Sequence, residues 1–347
     1  MRRLLIVLFY LPFLAHAAAD PALAGVWRGK LGNAEIAACF NKADGGEASG
    51  SYYYARYKKP IQLKMEAGQA GWKEGDGTGA WTLEPPAGDK LLGSWRNPKG
   101  GKPQALALTR VSWNGEGNAC GSDAYNLELE VFPALQVGKV QEFEGKKYRS
   151  LRIADVVTLE LLEPGDRLAG LNRTLRAELP GKPEDIADYF ATRRRFLGDM
   201  GLAAEDETRT EPVFWSARWI TINFYRWAAG YGRNGITLDY RTWDLQSGEE
   251  VNLWQWFIAK APGDRNANPL PDKLKKVLFK GLKLEKECRD GYKGEGDYRV
   301  SLKNDGVQFW EEAYGTGCEQ DFLVPYAQLG PYLTPQGKAA LRDKLGR

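Results

Sequence analysis

Histidine is almost missing from this chain. The only one in 347 residues is His16, and it falls in an N-terminal stretch read below as a signal. A protein without histidine cannot run a Ser-His-Asp or Cys-His relay. It also cannot assemble the usual His-containing zinc or iron sites. Carboxylate-only chemistry, as in glycosidases, survives that exclusion. Long apolar runs are absent as well, and no stretch approaches the ~20 residues needed to span a bilayer as a helix. Neither sign of charge dominates: removing Arg2 and Arg3 leaves 46 basic against 45 acidic residues. That balance exerts no long-range pull on nucleic acid or on an anionic membrane surface. No phosphate loop and no nucleophile beside a base can be found. No metal and no cofactor is expected.

Cysteine is scarce but even in number: Cys39, Cys120, Cys288 and Cys318. The chain begins Met1-Arg2-Arg3, continues with the apolar run Leu4 to Leu14 and reaches Ala15-His16-Ala17. A basic start, a short apolar core and a small-x-small site make a secretory signal, expected to be cleaved near Ala17 or Ala19. Export and an even cysteine count together favour disulfides. Four cysteines allow three pairings. Pairing by neighbourhood, Cys39 with Cys120 and Cys288 with Cys318, keeps each bridge inside one domain. A site of four zinc-bound thiolates is the rival, but the spacings lack closely spaced cysteine pairs. The expected location is the periplasm or the exterior.

Residues 20–122 read as a small all-β domain. Gly25-Val26-Trp27, Gly50-Ser51-Tyr52, Gly79-Ala80-Trp81 and Gly93-Ser94-Trp95 repeat a glycine, one residue and an aromatic, separated by turn-rich pieces. Short strands at such spacing suggest an antiparallel meander closing into a barrel or sandwich. The expected strands are Ala24–Lys30, Ala34–Phe40, Gly50–Tyr57, Ile61–Glu66, Gly79–Leu83, Lys90–Arg96 and Gln104–Val111. Leu23-x-Gly25-x-Trp27 resembles the strand starts of lipocalins and avidins, barrels that hold a small ligand. In so short a meander an interior filled by its own side chains is favoured over a ligand cup. Within Tyr52-Tyr53-Tyr54, alternation sends Tyr53 to the opposite face from its neighbours. An outward Tyr53 is a candidate for stacking on a sugar or a partner; cross-strand packing is the plainer reading.

Residues 123–347 change character and read as an α+β domain, with helices packed on an antiparallel sheet. Tyr125–Phe132 and Ile153–Leu162 alternate as strands. Leu168, Leu171, Leu175 and Leu179 line one helix face. Pro183 opens a second helix, with Ile186, Tyr189, Phe190, Leu197 and Met200 on its apolar stripe and Gly201 capping it. Phe214 to Phe257 is the densest stretch and holds six of the twelve tryptophans. It reads as consecutive strands around the turn Gly230–Gly235. Both alternating faces of Arg218–Trp227 are largely apolar or aromatic, so most of its rings are expected in the core. Tyr231, Arg233 and Asn234 on the turn are then the candidate binding residues. An ordinary hairpin connection is their plainer reading. Helices over Asp272–Leu282 and Pro335–Leu345, and strands over Tyr298–Leu302, Val307–Glu312 and Gln320–Val324, complete the expectation.

Two C-terminal patterns resemble a known family. They are Trp243-Asp244-Leu245-x-x-Gly248-x-x-Val251-x-Leu253-x-x-Trp256-Phe257, and Asp305-Gly306-Val307-x-Phe309 followed by Val324-Pro325-Tyr326-x-x-Leu329-x-Pro331-Tyr332-Leu333. They are similar to a bacterial extracytoplasmic domain of unknown function found in the lysozyme-sensing anti-sigma factor RsiV and beside the deacetylase domain of PdaC-type proteins. The resemblance covers about Tyr125 to Leu345 and leaves the first domain unassigned. It departs where relatives carry Gly-Ala-His, since this chain reads Ala228-Ala229-Gly230-Tyr231-Gly232. What it implies is a fold and a habit of binding in the cell envelope. The expected function is noncatalytic recognition of a cell-wall glycan, a lysozyme-like enzyme or another envelope protein. The alternatives are a carboxylate enzyme on glycans, using acids among Asp239, Asp244, Glu249, Glu250, Glu311 and Glu312, and a small-ligand carrier built on the N-terminal barrel.

Overall fold

In the computed structural model, eight consecutive strands form a closed antiparallel barrel in meander order, the last pairing with the first. They are β1 (Gly25–Leu31), β2 (Ala34–Phe40), β3 (Ala48–Tyr54), β4 (Ile61–Met65), β5 (Trp72–Glu74), β6 (Ala80–Leu83), β7 (Lys90–Arg96) and β8 (Gln104–Val111). The structure describes residues 20–44, 47–66, 71–111, 113, 115–163, 166–204, 206–260, 267–280, 282–283, 288, 296–311 and 318–344. The signal read over residues 1–19 lies outside them, as do Glu312 and the side chains of Arg233 and Asn234. Seven strands were expected in the barrel region. The eighth, β5, is only three residues long and lies beyond reach of a periodicity argument.

Period-2 alternation fills the barrel. Trp27, Ile36, Phe40, Tyr52, Leu63, Trp72, Trp81, Leu91 and Leu108 point inward and are buried. Closing the sheet leaves a small barrel only enough interior for such side chains. The outer wall of β1 to β3 is covered too: Val26, Ala37, Cys39 and Tyr53 are buried under Tyr125 and Leu197. That explains the nearly unbroken apolar run Ile36-Ala37-Ala38-Cys39-Phe40 in β2, a strand hidden on both faces. Cys39 and Cys120 are bridged, with Cα atoms 5.1 Å apart.

Past the barrel come α1 (Asp123–Asn126), β9 (Gln136–Val137), β10 (Gln141–Phe143), β11 (Lys146–Ile153), β12 (Val156–Leu161), α2 (Asp166–Ala177) and α3 (Ala187–Met200). They are followed by β13 (Glu207–Trp215), β14 (Trp219–Trp227), β15 (Ile236–Asp244), β16 (Glu250–Val251), β17 (Asn268–Pro269) and α4 (Asp272–Leu278). The chain ends with β18 (Asp297–Leu302), β19 (Gly306–Glu311), β20 (Asp321–Pro325), α5 (Tyr326–Leu329) and α6 (Pro335–Lys344). The strand expected over Tyr125–Phe132 is not formed. Asn126 donates to the carbonyls of Cys120 and Ser122 at 2.7 and 2.9 Å and turns the chain into α1. Tyr125 is thereby fully buried, while Leu127 stays exposed.

The chain divides into two compact units. The first joins residues 1–131 to Ala187–Ala204, and the second takes Phe132–Ile186 and Glu205–Arg347. Unlike the boundary at residue 123 expected above, α1 and α3 go with the barrel. The reason is local. Asn41 donates to the Leu197 carbonyl at 3.0 Å, Gln62 donates to the Met200 carbonyl at 2.7 Å, and Arg194 pairs with Glu130 and Asp123.

In the second unit the antiparallel sheets run β10-β11-β12 with β9 also on β11, β13-β14-β15-β16, and β17-β18-β19-β20. The middle sheet is buried on both sides. Ile220, Ile222 and Trp243 pack with Leu168, Leu171 and Leu175 of α2 and with Leu159 and Leu161 of β12. Phe214 and Trp219 pack with Trp254, Trp256, Tyr298 and Phe309. Five of the six tryptophans between Phe214 and Phe257 are therefore core, and only Trp227 is half-exposed. Cys288 and Cys318 form the second bridge, Cα atoms 5.4 Å apart. No described helix is long and apolar enough to cross a membrane.

Candidate functional site

Strands β13 to β15 outrun the core that covers them. On the face carrying Phe214 and Trp219, three cross-strand rows follow one another: Glu211–Asn223–Tyr240, Arg209–Tyr225–Leu238 and Glu207–Trp227–Ile236. Alternation alone places them together, because residues two apart share a face. Below these rows the face is closed and dry, with Thr221 and Thr242 sharing a buried hydrogen bond of 2.8 Å. Within the rows Tyr225, Trp227, Leu238 and Tyr240 are half-exposed.

The third sheet extends this row of rings. Trp310 of β19 stacks on Tyr240 with centroids 5.4 Å apart and planes 15° from parallel, and it donates to Ser301 at 3.0 Å. The Lys303 ammonium sits 5.5 Å from the Trp310 ring centre and 5.9 Å from that of Tyr240, within cation–π range. Burial lowers the pKa of Lys303, and the charges of Glu211 and Asp305 oppose that shift. At the other end the Arg209 guanidinium lies 5.0 Å from the Tyr225 ring centre and 3.5 Å from Glu211. Asn223, only 5% exposed, sits in the middle with a side-chain carbonyl that accepts no hydrogen bond among the described residues. Buried acceptors are rarely left so, and a water or ligand hydroxyl is the usual remedy. The result is a row of half-exposed rings with a buried unsatisfied acceptor beneath it and charges of both signs at its edges.

The residues expected to bind fare differently. Tyr231 is 59% exposed on the turn, next to Trp227, whose indole donates to Gly232 at 2.6 Å. It therefore adjoins the ring strip without belonging to it. Arg233 and Asn234 lie on the same turn, their side chains outside the described residues. Tyr53 offers no ring face at all: it is fully buried with its ring 5.2 Å from Tyr125. The outward direction expected for it is right, but α1 covers it.

Sequence reasoning missed Tyr240 and Trp310, because their stack joins positions seventy apart. The alternation Asn223-x-Tyr225-x-Trp227 was the one local signal for the strip. The candidate acids have structural partners: Asp244 with Arg218 at 3.0 Å, Glu250 with Arg241 at 2.8 Å, and Asp239 with Arg299 at 3.5 Å. Glu311 is buried and accepts from the Gln320 amide at 2.8 Å, while Glu249 is exposed. No described group of three His, Cys, Asp or Glu side chains could hold a metal ion. No family model matches the chain, and no curated protein matches it in sequence.

Proposed function

We propose that this is an exported, noncatalytic binding protein of the cell envelope that recognises a glycan on the ring strip of its second unit. One observation carries the reading: Tyr225, Tyr240 and Trp310 form a half-exposed aromatic strip around the unsatisfied carbonyl of Asn223. A sugar presents an apolar CH face and a rim of hydroxyls. Rings accept the face by dispersion, and a carbonyl, a carboxylate and an ammonium accept or donate at the rim. Asn223, Glu211 and Lys303 supply those three groups. The two disulfides and the lack of a described membrane-crossing helix are compatible with a periplasmic or secreted location. The resemblance to an envelope domain points the same way.

Calorimetric titration with soluble peptidoglycan fragments and chitooligosaccharides tests this. Saturable binding is expected, and Tyr225→Ala should weaken it by roughly tenfold, the value of one lost ring contact. Because Tyr225 is half-exposed, that variant should keep its melting temperature within a few degrees. Absence of binding to these fragments, or full affinity in the variant, would remove the proposal. Saturable binding of a lysozyme-like enzyme without any glycan binding would replace it with a protein partner, since Tyr, Trp and Arg also suit protein interfaces.

A further inference from the structure

The near-balance of charge is a sum over the whole chain, and the barrel distributes it unevenly. In an antiparallel meander the connections β1–β2, β3–β4, β5–β6 and β7–β8 all lie at one end. Basic residues gather there. Arg56, Lys58 and Lys59 stand on the β3–β4 connection, Arg96, Lys99 and Lys102 at the β7–β8 connection, and Lys30 near the end of β1. All seven are exposed, and none makes an ion pair among the described residues. Two exposed acids, Glu35 and Asp76, share that end, while the Glu74 carboxylate is buried inside the barrel.

The opposite end has the other sign. Its connections carry Asp44, Glu47, Glu66, Glu84 and Asp89 against Lys42, with Lys90 and Arg110 near the adjoining strand ends. The barrel is therefore polarised along its axis, and such a body turns its basic rim toward a negatively charged surface. The basic rim also presents Tyr57, 69% exposed. Its ring centre lies 5.5 Å from the Arg56 guanidinium and 6.3 Å from the ring centre of half-buried Tyr54. A tyrosine has an apolar body and a wet tip, which suits a lipid–water boundary.

We propose that this rim of the barrel docks the protein on an anionic phospholipid surface, its cations against the headgroup phosphates and Tyr57 at the headgroup level. Three features favour a flat lipid surface over a polymer such as nucleic acid. The cations come from separate hairpins at one end, so they spread around a rim and do not track a groove. Five of the seven are lysines, whose flexible point charges serve diffuse attraction, whereas the planar arginine fork serves registered phosphate contacts. A single exposed ring anchors at a lipid boundary but offers no row of stacking platforms to successive bases. The near-neutral total does not oppose this. Attraction to a charged surface acts within a Debye length, about 8 Å at physiological salt. Seven-residue strands such as β1 and β7 set the acidic end roughly 20 Å away, so only the basic rim feels the surface.

The test is co-sedimentation of the chain from Asp20 onward with vesicles of phosphatidylcholine, alone or mixed with phosphatidylglycerol. Partitioning onto the anionic vesicles should exceed that onto neutral ones by about tenfold or more at about 0.1 M salt. It should largely vanish at about 1 M, where the Debye length is about 3 Å. Lys58→Ala with Lys59→Ala should weaken it about 25-fold, at about fivefold for each cation near the surface. Both residues are exposed, so the melting temperature should hold. Lys273→Ala with Lys276→Ala removes the same charge from exposed positions on α4 and should leave partitioning unchanged. Tyr225→Ala should leave it unchanged as well, so the glycan reading and this one can fail separately. Equal partitioning onto neutral and anionic vesicles would overturn the proposal, as would equal effects of the two lysine-pair variants. Binding of soluble polyphosphate without vesicle binding would overturn it too, and would assign the rim to a polymer.

Discussion

Glu74 is a carboxylate inside a barrel, only 4% exposed, and it survives there because donors surround it. The Tyr52 hydroxyl donates at 2.6 Å and the Trp95 indole at 2.8 Å to one oxygen, and Thr78 donates to the other. Gly79 makes room for this, since a Cβ there would lie 2.0 Å from the Trp95 nitrogen. Burial and then the Glu74 carboxylate raise the Tyr52 pKa well above the phenol range. Burial likewise raises Tyr53, Tyr125 and Tyr326. In the unfolded chain these phenols ionise near about pH 10. Their stabilising effect is therefore complete below that pH and declines as pH rises above it, because the unfolded state then loses protons that the folded state keeps. Urea unfolding measured on either side of pH 10 should show a falling midpoint. Tyr52→Phe should flatten that fall while lowering the neutral-pH midpoint. An unchanged alkaline slope in the variant would contradict this account of Tyr52. At this scale the sequence revealed residue types but not their company: the Gly-x-aromatic repeat marked Trp81 and Trp95, and nothing local marked Glu74.

Helix α3 shows how far an element is readable. Its terminal glycine was visible in the sequence and its stripe in part: Leu197 is buried as expected, but Met200 is exposed, Phe196 is buried in its place, and Pro183 opens a 3-10 turn that precedes the helix. Gly201 has φ +65° and closes the helix by donating to the Leu197 carbonyl at 2.8 Å. A Cβ at that position would lie 2.0 Å from the Gly50 carbonyl oxygen of β3. Two penalties therefore act there, left-handed backbone and a backbone clash. Gly248 has φ +78° with nothing within 4 Å of a Cβ, so only the first acts. Gly248→Ala should cost about 1 kcal/mol, and Gly201→Ala about 3 kcal/mol or more, because α3 must lift off the barrel wall. Chemical denaturation of the two variants measures both. Equal losses would mean that the close approach of Gly201 to Gly50 does not hold the helix. The segment Tyr125–Phe132 illustrates the opposite failure. Its alternation looked like a strand, but Asn126 and the bridged Cys120 beside it bend the chain before any strand partner is met.

On the scale of the whole molecule, the bridges act on loops of different length. Cys39–Cys120 closes a separation of 81 residues and Cys288–Cys318 one of 30. On the chain-entropy model these contribute about 4.5 and about 3.7 kcal/mol. The first also pins the segment that carries Tyr125 and Glu128 onto the barrel. Replacing Cys39 and Cys120 together by serine should lower the stability of the first unit by about 4 kcal/mol, read as a fall in its urea midpoint. A midpoint within error of the native protein would show that α1 and α3 hold that segment unaided. The sequence by itself determined seven of the eight barrel strands, the helix that ends at Gly201 and the burial of most tryptophans between Phe214 and Phe257. Each of these is written in a period of two or 3.6 residues or in local turn chemistry, whereas the cysteine pairing and the filled interior followed from sequence neighbourhood and from the shortness of the meander. Only the tertiary structure decided that Tyr53 would be roofed by Tyr125, that Tyr240 would meet Trp310, and that α3 would join the barrel. Those outcomes depend on contacts between distant positions, and periodicity says which way a side chain points, but not what arrives to cover it.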